Sequence, residues 1–269
     1  MFELPSPPEA PATINAERKD GILVLPVAED SQTWAGILGF IFPGATRSFD
    51  DLKTLQVVLR AADKYGMDAV IKGAEGVLML PKFLEEHPLG VYAIACSYRL
   101  EAAARSAARR SLRKPLLGSV GESSVELAGC LGAAVYRLFA YYAQCGDKAV
   151  AALDENEIHN LDSVWLDCDT CSNEDEIIMP LFQRDYPVTQ WWGAYARRLC
   201  HLLKERPCGD TVRDLSIASP FLKIARNCSY CEDRAEEDVI EFIQAYADLV
   251  DKAVSEVELY MGKSEGPGR

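Results

Sequence analysis

The chain has 269 residues, room for one large domain or two modest ones, and its 49% hydrophobic content supplies a core, which excludes a disordered protein. Acidic residues outnumber basic ones, 41 to 28, and the net charge of −13 repels phosphate at long range, which argues against general nucleic-acid binding. A basic partner would be drawn in, although solubility accounts for the same excess.

The first twenty residues carry four prolines and no basic-then-apolar signal pattern. Residues 3–20 are expected to form a mobile loop. Without a signal peptide, the nine cysteines read as reduced thiols of an intracellular protein, cytoplasmic or nuclear. The longest uncharged apolar run, Trp34 to Ala45, is too short to span a bilayer and is broken by Pro43, so no membrane partner is expected.

"GILVLPV" predicts one buried strand, Ile22 to Leu25. A helix follows, with Ser31 as its N-cap and Pro43-Gly44 as its stop. Leu52, Leu55, Leu59 and Ala62 form one helical stripe, as do Val91, Ile94, Ala95 and Tyr98 after His87-Pro88. Leu100, Ala103, Ala107 and Leu112 continue the pattern. A linker at 114–122 leads to a capping box at Ser123 and Glu126, and then to an apolar helix over Val125 to Ala143, expected to be buried on most sides.

Nine acidic residues fall within positions 154–176, which predicts an irregular segment. Asp167 and Asp169 are spaced like calcium ligands, but the loop glycine and terminal glutamate are missing. "VTQWWGAYARRLCHLLKERP" predicts a helix ended by Pro207. The tail stripe of Val239, Phe242, Tyr246, Leu249, Ala253, Val257 and Tyr260 predicts a core helix, with a coiled-coil seam as the alternative.

"WAGILGFIFPG", with Phe40, Ile41, Phe42 and Gly44, followed by "LQVVLRAADKYGMDAVI", with Leu59, Ala61, Ala62, Tyr65 and Met67, resembles the second half of a BTB/POZ domain. "FLEEHPLGVYAIACSYRLEAAARSAARRSL" resembles the helical extension of BTB proteins from mushroom-forming fungi. Trp191, Trp192 and Tyr195 are similar to the Trp-Trp-x-x-Tyr helix of those proteins, and the cysteine pairs have counterparts there too. The resemblance is most specific over 34–114.

It implies a mainly α fold, α+β in its N-terminal part. A partial BTB/POZ-like domain would span 1–80, a helical extension 81–114, and a C-terminal helical region with two CxxC pairs 115–269. It implies a non-enzymatic protein-interaction adaptor that engages a cullin scaffold or a transcriptional complex. A full domain of that family opens with a strand pair and a helix ahead of the point where this chain starts. Ile22 to Leu25 are therefore expected to have few strand partners, and self-association by the family's usual route stays open.

Cys168-x-x-Cys171 and Cys228-x-x-Cys231 are the one metal-like constellation, since four thiolates suit a tetrahedral structural zinc. Asp167, Asp169, Glu232 and Asp233 beside them would oppose thiolate charge. Structural zinc and ordinary reduced thiols both stand as readings, and a protein centred on zinc or thiol redox chemistry is the alternative function. Neither implies a catalytic set. His87 reads as a local helix cap, His159 as solvated, and His201 diverges from Cys200 on a helix. Cys96 has no local base and reads as a small core residue. Lys72 to Gly76, "KGAEG", lacks phosphate-loop spacing. Arg105, Arg109 and Arg113 line one helix face, either as a solvated surface or as a docking strip for an acidic partner or the chain's own acidic segment.

Overall fold

The computed structural model describes residues 18–24, 26–42, 49–116, 127, 130–152, 163–171 and 188–262. Among them the strands are confined to a hairpin, β1 (Arg18–Lys19) and β2 (Ile22–Leu23), antiparallel with Arg18 opposite Leu23 and Lys19 opposite Ile22. Asp20 and Gly21 both take positive φ, 56° and 79°, the geometry that a two-residue hairpin turn needs. The α+β character expected for the N-terminal part amounts, within the described residues, to this hairpin. The strand is also shorter than expected, since β2 ends at Leu23, and Val24 is exposed rather than buried; Leu25 lies outside the described residues. So do nearly all of the expected 3–20 loop, Pro43-Gly44 and the Ser123–Glu126 capping box.

Six helices follow: α1 (Ser31–Ile41), α2 (Leu52–Lys64), α3 (Asp68–Leu78), α4 (Pro81–Glu86), α5 (Pro88–Ser97) and α6 (Glu101–Ser111). The cap of α1 is Asp30 rather than Ser31. Its carboxylate accepts from the Thr33 N–H at 2.7 Å, and Asp51 does the same for Thr54 at the start of α2. The predicted α2 stripe holds, with Leu55, Leu59 and Ala62 fully buried and Leu52 packed at the edge.

Gly66 ends α2 with φ of 65°. Its N–H bonds to the Asp63 carbonyl at 3.1 Å, and the Met67 N–H bonds to the Ala62 carbonyl at 2.8 Å. This is a Schellman termination, which lets α3 start at once in a new direction. Glu29 ties the approach to α1 onto the same corner by accepting from Lys64 and from the Tyr65 hydroxyl. α5 is buried on every face from Pro88 to Ala95, and Pro88 suits its first turn.

Among the described residues the C-terminal part includes α7 (Gly132–Ala151), α8 (Val164–Asp167), α9 (Gln190–Glu205), α10 (Gly209–Arg213), α11 (Leu215–Ala225) and α12 (Ala235–Ser255). Two expectations need correction. The apolar helix expected over Val125 to Ala143 starts at Gly132 and runs to Ala151. It buries one face through Ala134, Leu138, Tyr141, Tyr142 and Cys145, while Tyr136 is 75% exposed and Phe139 faces out. The tail stripe also leaves its predicted line. From Tyr246 onward the buried positions are Ala247, Val250 and Val254, and α12 ends at Ser255, so Val257 and Tyr260 lie beyond it. A stripe drawn at fixed steps drifts around a helix of 3.6 residues per turn. α12 is a core helix, and α9 ends before Pro207 as expected.

The two parts share one contiguous core. The Tyr92 hydroxyl donates to the Ala134 carbonyl at 2.7 Å, joining α5 to α7, and the Tyr142 hydroxyl donates to the Ser111 carbonyl at the end of α6. At Gly146 a side chain would meet the Lys204 backbone at 3.1 Å, so this glycine allows α7 and α9 to approach backbone to backbone. No helix among the described residues is long and apolar enough to cross a membrane.

Candidate metal centre

An aromatic cluster positions the first cysteine pair. Trp165 on α8 stacks on Trp192 of α9, with ring centroids 3.7 Å apart and planes 3° from parallel, and Phe242 of α12 meets Trp192 edge-on at 4.6 Å. Backbone bonds fix the same short helix from two sides. The Val164 N–H donates to the Asp238 carboxylate at 2.7 Å, and the Thr189 N–H donates to the Trp165 carbonyl at 3.0 Å. Cys168 caps α8, its N–H donating to the Val164 carbonyl at 3.1 Å, and Cys171 follows in a turn.

The second pair occupies the corner between α11 and α12. The chain leaves α11 through a turn in which the Cys228 N–H donates to the Ala225 carbonyl at 3.0 Å. The Ala235 N–H then donates to the Cys231 carbonyl at 2.9 Å and starts α12. "CSYC" is therefore a turn that presents both sulfurs to one side.

All four sulfurs lie within 4.8 Å of one another and could hold a metal ion. The short distances run between the pairs: Cys168 to Cys228 is 3.7 Å, and Cys171 to Cys231 is 3.9 Å. Zinc–sulfur bonds of about 2.3 Å in a tetrahedron put sulfurs about 3.8 Å apart, so both distances match an edge of such a site. They are far too long for a disulfide, and all four thiols are free. Cys168, Cys228 and Cys231 are buried and Cys171 is half-buried, an enclosure that suits a structural ion.

The electrostatics of the turn favour charge at one ligand. Backbone N–H donation from Cys231, the Cys171 thiol and the Tyr230 N–H together pull the Cys228 thiol down to about 7. Burial works the other way elsewhere. It holds Cys171 well above the usual thiol range, with the hydrogen bond to Cys228 adding to the effect, and it pushes Cys231 up to about 11. The Trp191 indole N–H is buried beside the Cys231 sulfur without reaching good hydrogen-bond geometry, so a thiolate there would gain a donor. The acidic neighbours weigh less than their positions in sequence suggest. Asp169, Glu232 and Asp233 are exposed, where water screens them. A bound dication would deprotonate its thiol ligands outright.

The remaining candidates separate. Arg105 donates to the Leu259 carbonyl at 2.9 Å, and Arg113 pairs with Asp210 at 3.3 Å, so both meet the C-terminal part outside the acidic segment. Arg109 lines a cleft of about 590 Å³ between α4, α6 and α12, together with Glu85, Arg110, Cys208 and Asp251. His87 is exposed, and its backbone carbonyl accepts the first bond of α5 from Val91 at 3.0 Å. His201 faces solvent near Glu205, and His159 lies outside the described residues. Lys72 to Gly76 lie within α3 rather than in a loop. Cys96 is half-buried, but it is not isolated: Cys130, Tyr92 and Arg137 surround it. Nothing local in sequence announces that cluster, or the roles of Trp165 and Asp238 in placing Cys168.

No protein-family model matches the chain, and no curated protein or solved structure matches it.

Proposed function

We propose that this chain is a non-enzymatic, helical protein-interaction module whose C-terminal part is locked by a structural zinc–tetrathiolate centre. The observation that carries the zinc reading is the pair of crossed sulfur distances, 3.7 and 3.9 Å, between segments sixty residues apart. Zinc bound there would pin the short α8 segment to the α11–α12 corner, adding a cross-link to the ring contacts of Trp165 and the backbone bonds that already hold it.

The adaptor reading, with a cullin-type scaffold as partner, rests on the resemblance of 34–114 to BTB/POZ proteins. It is supported by an apolar face at the end of α1, where Leu38, Ile41 and Phe42 are 42–58% exposed. Such a face suits a protein partner better than water. Arg109 and Arg113, which line the α6 cleft, would then meet an acidic partner there, with Arg105 beyond the cleft on the same helix.

The test is affinity capture by the full chain carrying Ile41→Asp and Phe42→Asp, with Arg109→Glu and Arg113→Glu as a second variant. The reading expects a cullin-type partner to be recovered with the native chain and lost with the first variant, while zinc content stays unchanged. An unchanged partner set would overturn it.

A further inference from the structure

The cleft of about 590 Å³ between α4, α6 and α12 joins buried apolar side chains to a charged rim. Leu112, Pro207 and Val254 line it as buried residues, with Leu84 half-buried beside them. The polar wall comes from one face of α6. Ser106, Arg109 and Arg110 lie on that face, and Arg113 follows just past the end of the helix. Among the described residues no aromatic side chain lines the cleft.

Two carboxylates, those of Glu85 and Asp251, also line the cleft, and both are engaged. Glu85 pairs with Arg110, and Asp251 accepts from the Gly209 N–H at 2.7 Å and from Arg213 at 2.9 Å. Arg113 in turn pairs with Asp210 at 3.3 Å. Arg109 is the cation left over. Among the described residues its guanidinium has neither an ion-pair partner nor a hydrogen-bond acceptor. A guanidinium fork matches a carboxylate through two parallel N–H···O bonds. Ser106, half-buried one turn earlier on the same wall, offers a hydroxyl donor beside it.

We infer that this cleft binds a small aliphatic monocarboxylate, with its carboxylate on Arg109 and its alkyl body over Leu84, Leu112 and Val254. The cleft falls within the range of small-molecule sites, about 300–1,000 Å³, which combine an apolar lining with a few placed polar groups. With no ring in the lining there is nothing for an aryl ligand to stack on, so an alkyl body fits better. One unpaired cation selects one negative charge. A phosphate monoester would bring a second charge toward Glu85 and Asp251 with no free cation to meet it. This occupant goes beyond the adaptor reading. It would compete with an acidic partner for Arg109, but its test needs no partner.

The test titrates the full chain with octanoate by isothermal calorimetry at neutral pH, with the uncharged octyl alcohol and octyl phosphate as comparison ligands. Octanoate is expected to saturate a single site and to bind roughly tenfold or more tightly than the alcohol, as a charge-assisted bond predicts. It should also bind more tightly than octyl phosphate. Arg109→Gln should reduce octanoate to the level of the alcohol. Lys114→Gln removes the same charge outside the cleft and should leave binding unchanged. Arg109 is exposed, so its replacement spares the core. The proposal is overturned if the native chain binds octanoate no tighter than the alcohol, if octyl phosphate binds more tightly, or if octanoate binding survives Arg109→Gln. Recovery or loss of a protein partner in capture bears on the adaptor reading and leaves this outcome as it stands.

Discussion

Trp165 lies flat on Trp192, their centroids 3.7 Å apart, and three residues later the chain delivers the Cys168 sulfur to within 3.7 Å of Cys228. The stack and the sulfur contact are two ends of one short element, α8, which has four residues and no propensity to hold itself together. Its position depends on what it packs against. Trp165→Ala is expected to cost about 3–5 kcal/mol of stability, the usual range for removing a buried aromatic. The same variant should weaken zinc binding, because Cys168 loses its anchor. Denaturant melts with and without chelator read both effects, and a variant that melted like the native chain would show that the stack does not position the ligand.

Metal binding should release protons. Burial keeps Cys171 and Cys231 protonated at neutral pH in the metal-free chain, so uptake of zinc by all four sulfurs must expel at least those two protons. Affinity therefore strengthens as pH rises and weakens as it falls. Calorimetric titration in buffers of different ionisation enthalpy measures the count directly. A buffer-independent enthalpy would contradict thiolate ligation.

Acid should loosen the corner where Glu29 meets Lys64 and Tyr65. The Lys64 ammonium and then the Tyr65 hydroxyl hold the Glu29 carboxyl down from 4.5 to about 2. A carboxyl lowered on folding contributes stability that is fully present above its unfolded value and fades as pH falls through its folded one. The contribution should therefore disappear between pH 4.5 and 2. Glu29→Gln should flatten the stability profile across that window and leave its shape at pH 6–8 unchanged. An acid titration of both proteins by circular dichroism checks this.

Gly66 is the one residue between α2 and α3 whose φ of 65° opposes a side chain, although a β-carbon there would meet nothing within 4 Å. Gly66→Ala should therefore cost about 1–2 kcal/mol through backbone conformation alone. Equilibrium unfolding measures it. A cost near zero would mean that the corner relaxes away from the left-handed conformation.

Much of this architecture could be read from local signals. The Leu55–Leu59–Ala62 spacing specifies a helix face without reference to the rest of the chain, and the Tyr65-Gly66 stop and the helix end before Pro207 are equally local. Two of the misreadings share a different cause. Apolar composition around α7 does not say which face is covered, so Tyr136 and Phe139 could not be assigned outward. A three-four ladder does not say where a helix ends, which carried the α12 stripe past Ser255. The cysteine pairs were visible as pairs, but their crossed matching, Cys168 with Cys228 and Cys171 with Cys231, follows from the tryptophan stack and the α11–α12 turn. Arg137 beside Cys96 is likewise a product of tertiary packing between α5 and α7.

The central claim is the zinc–tetrathiolate centre, and zinc K-edge absorption on the purified full chain tests it most directly. The account predicts one zinc per chain surrounded by four sulfurs at about 2.3 Å, and loss of that zinc in Cys231→Ser but not in Cys200→Ser. A metal-free native chain, or zinc bound through nitrogen and oxygen, would contradict it.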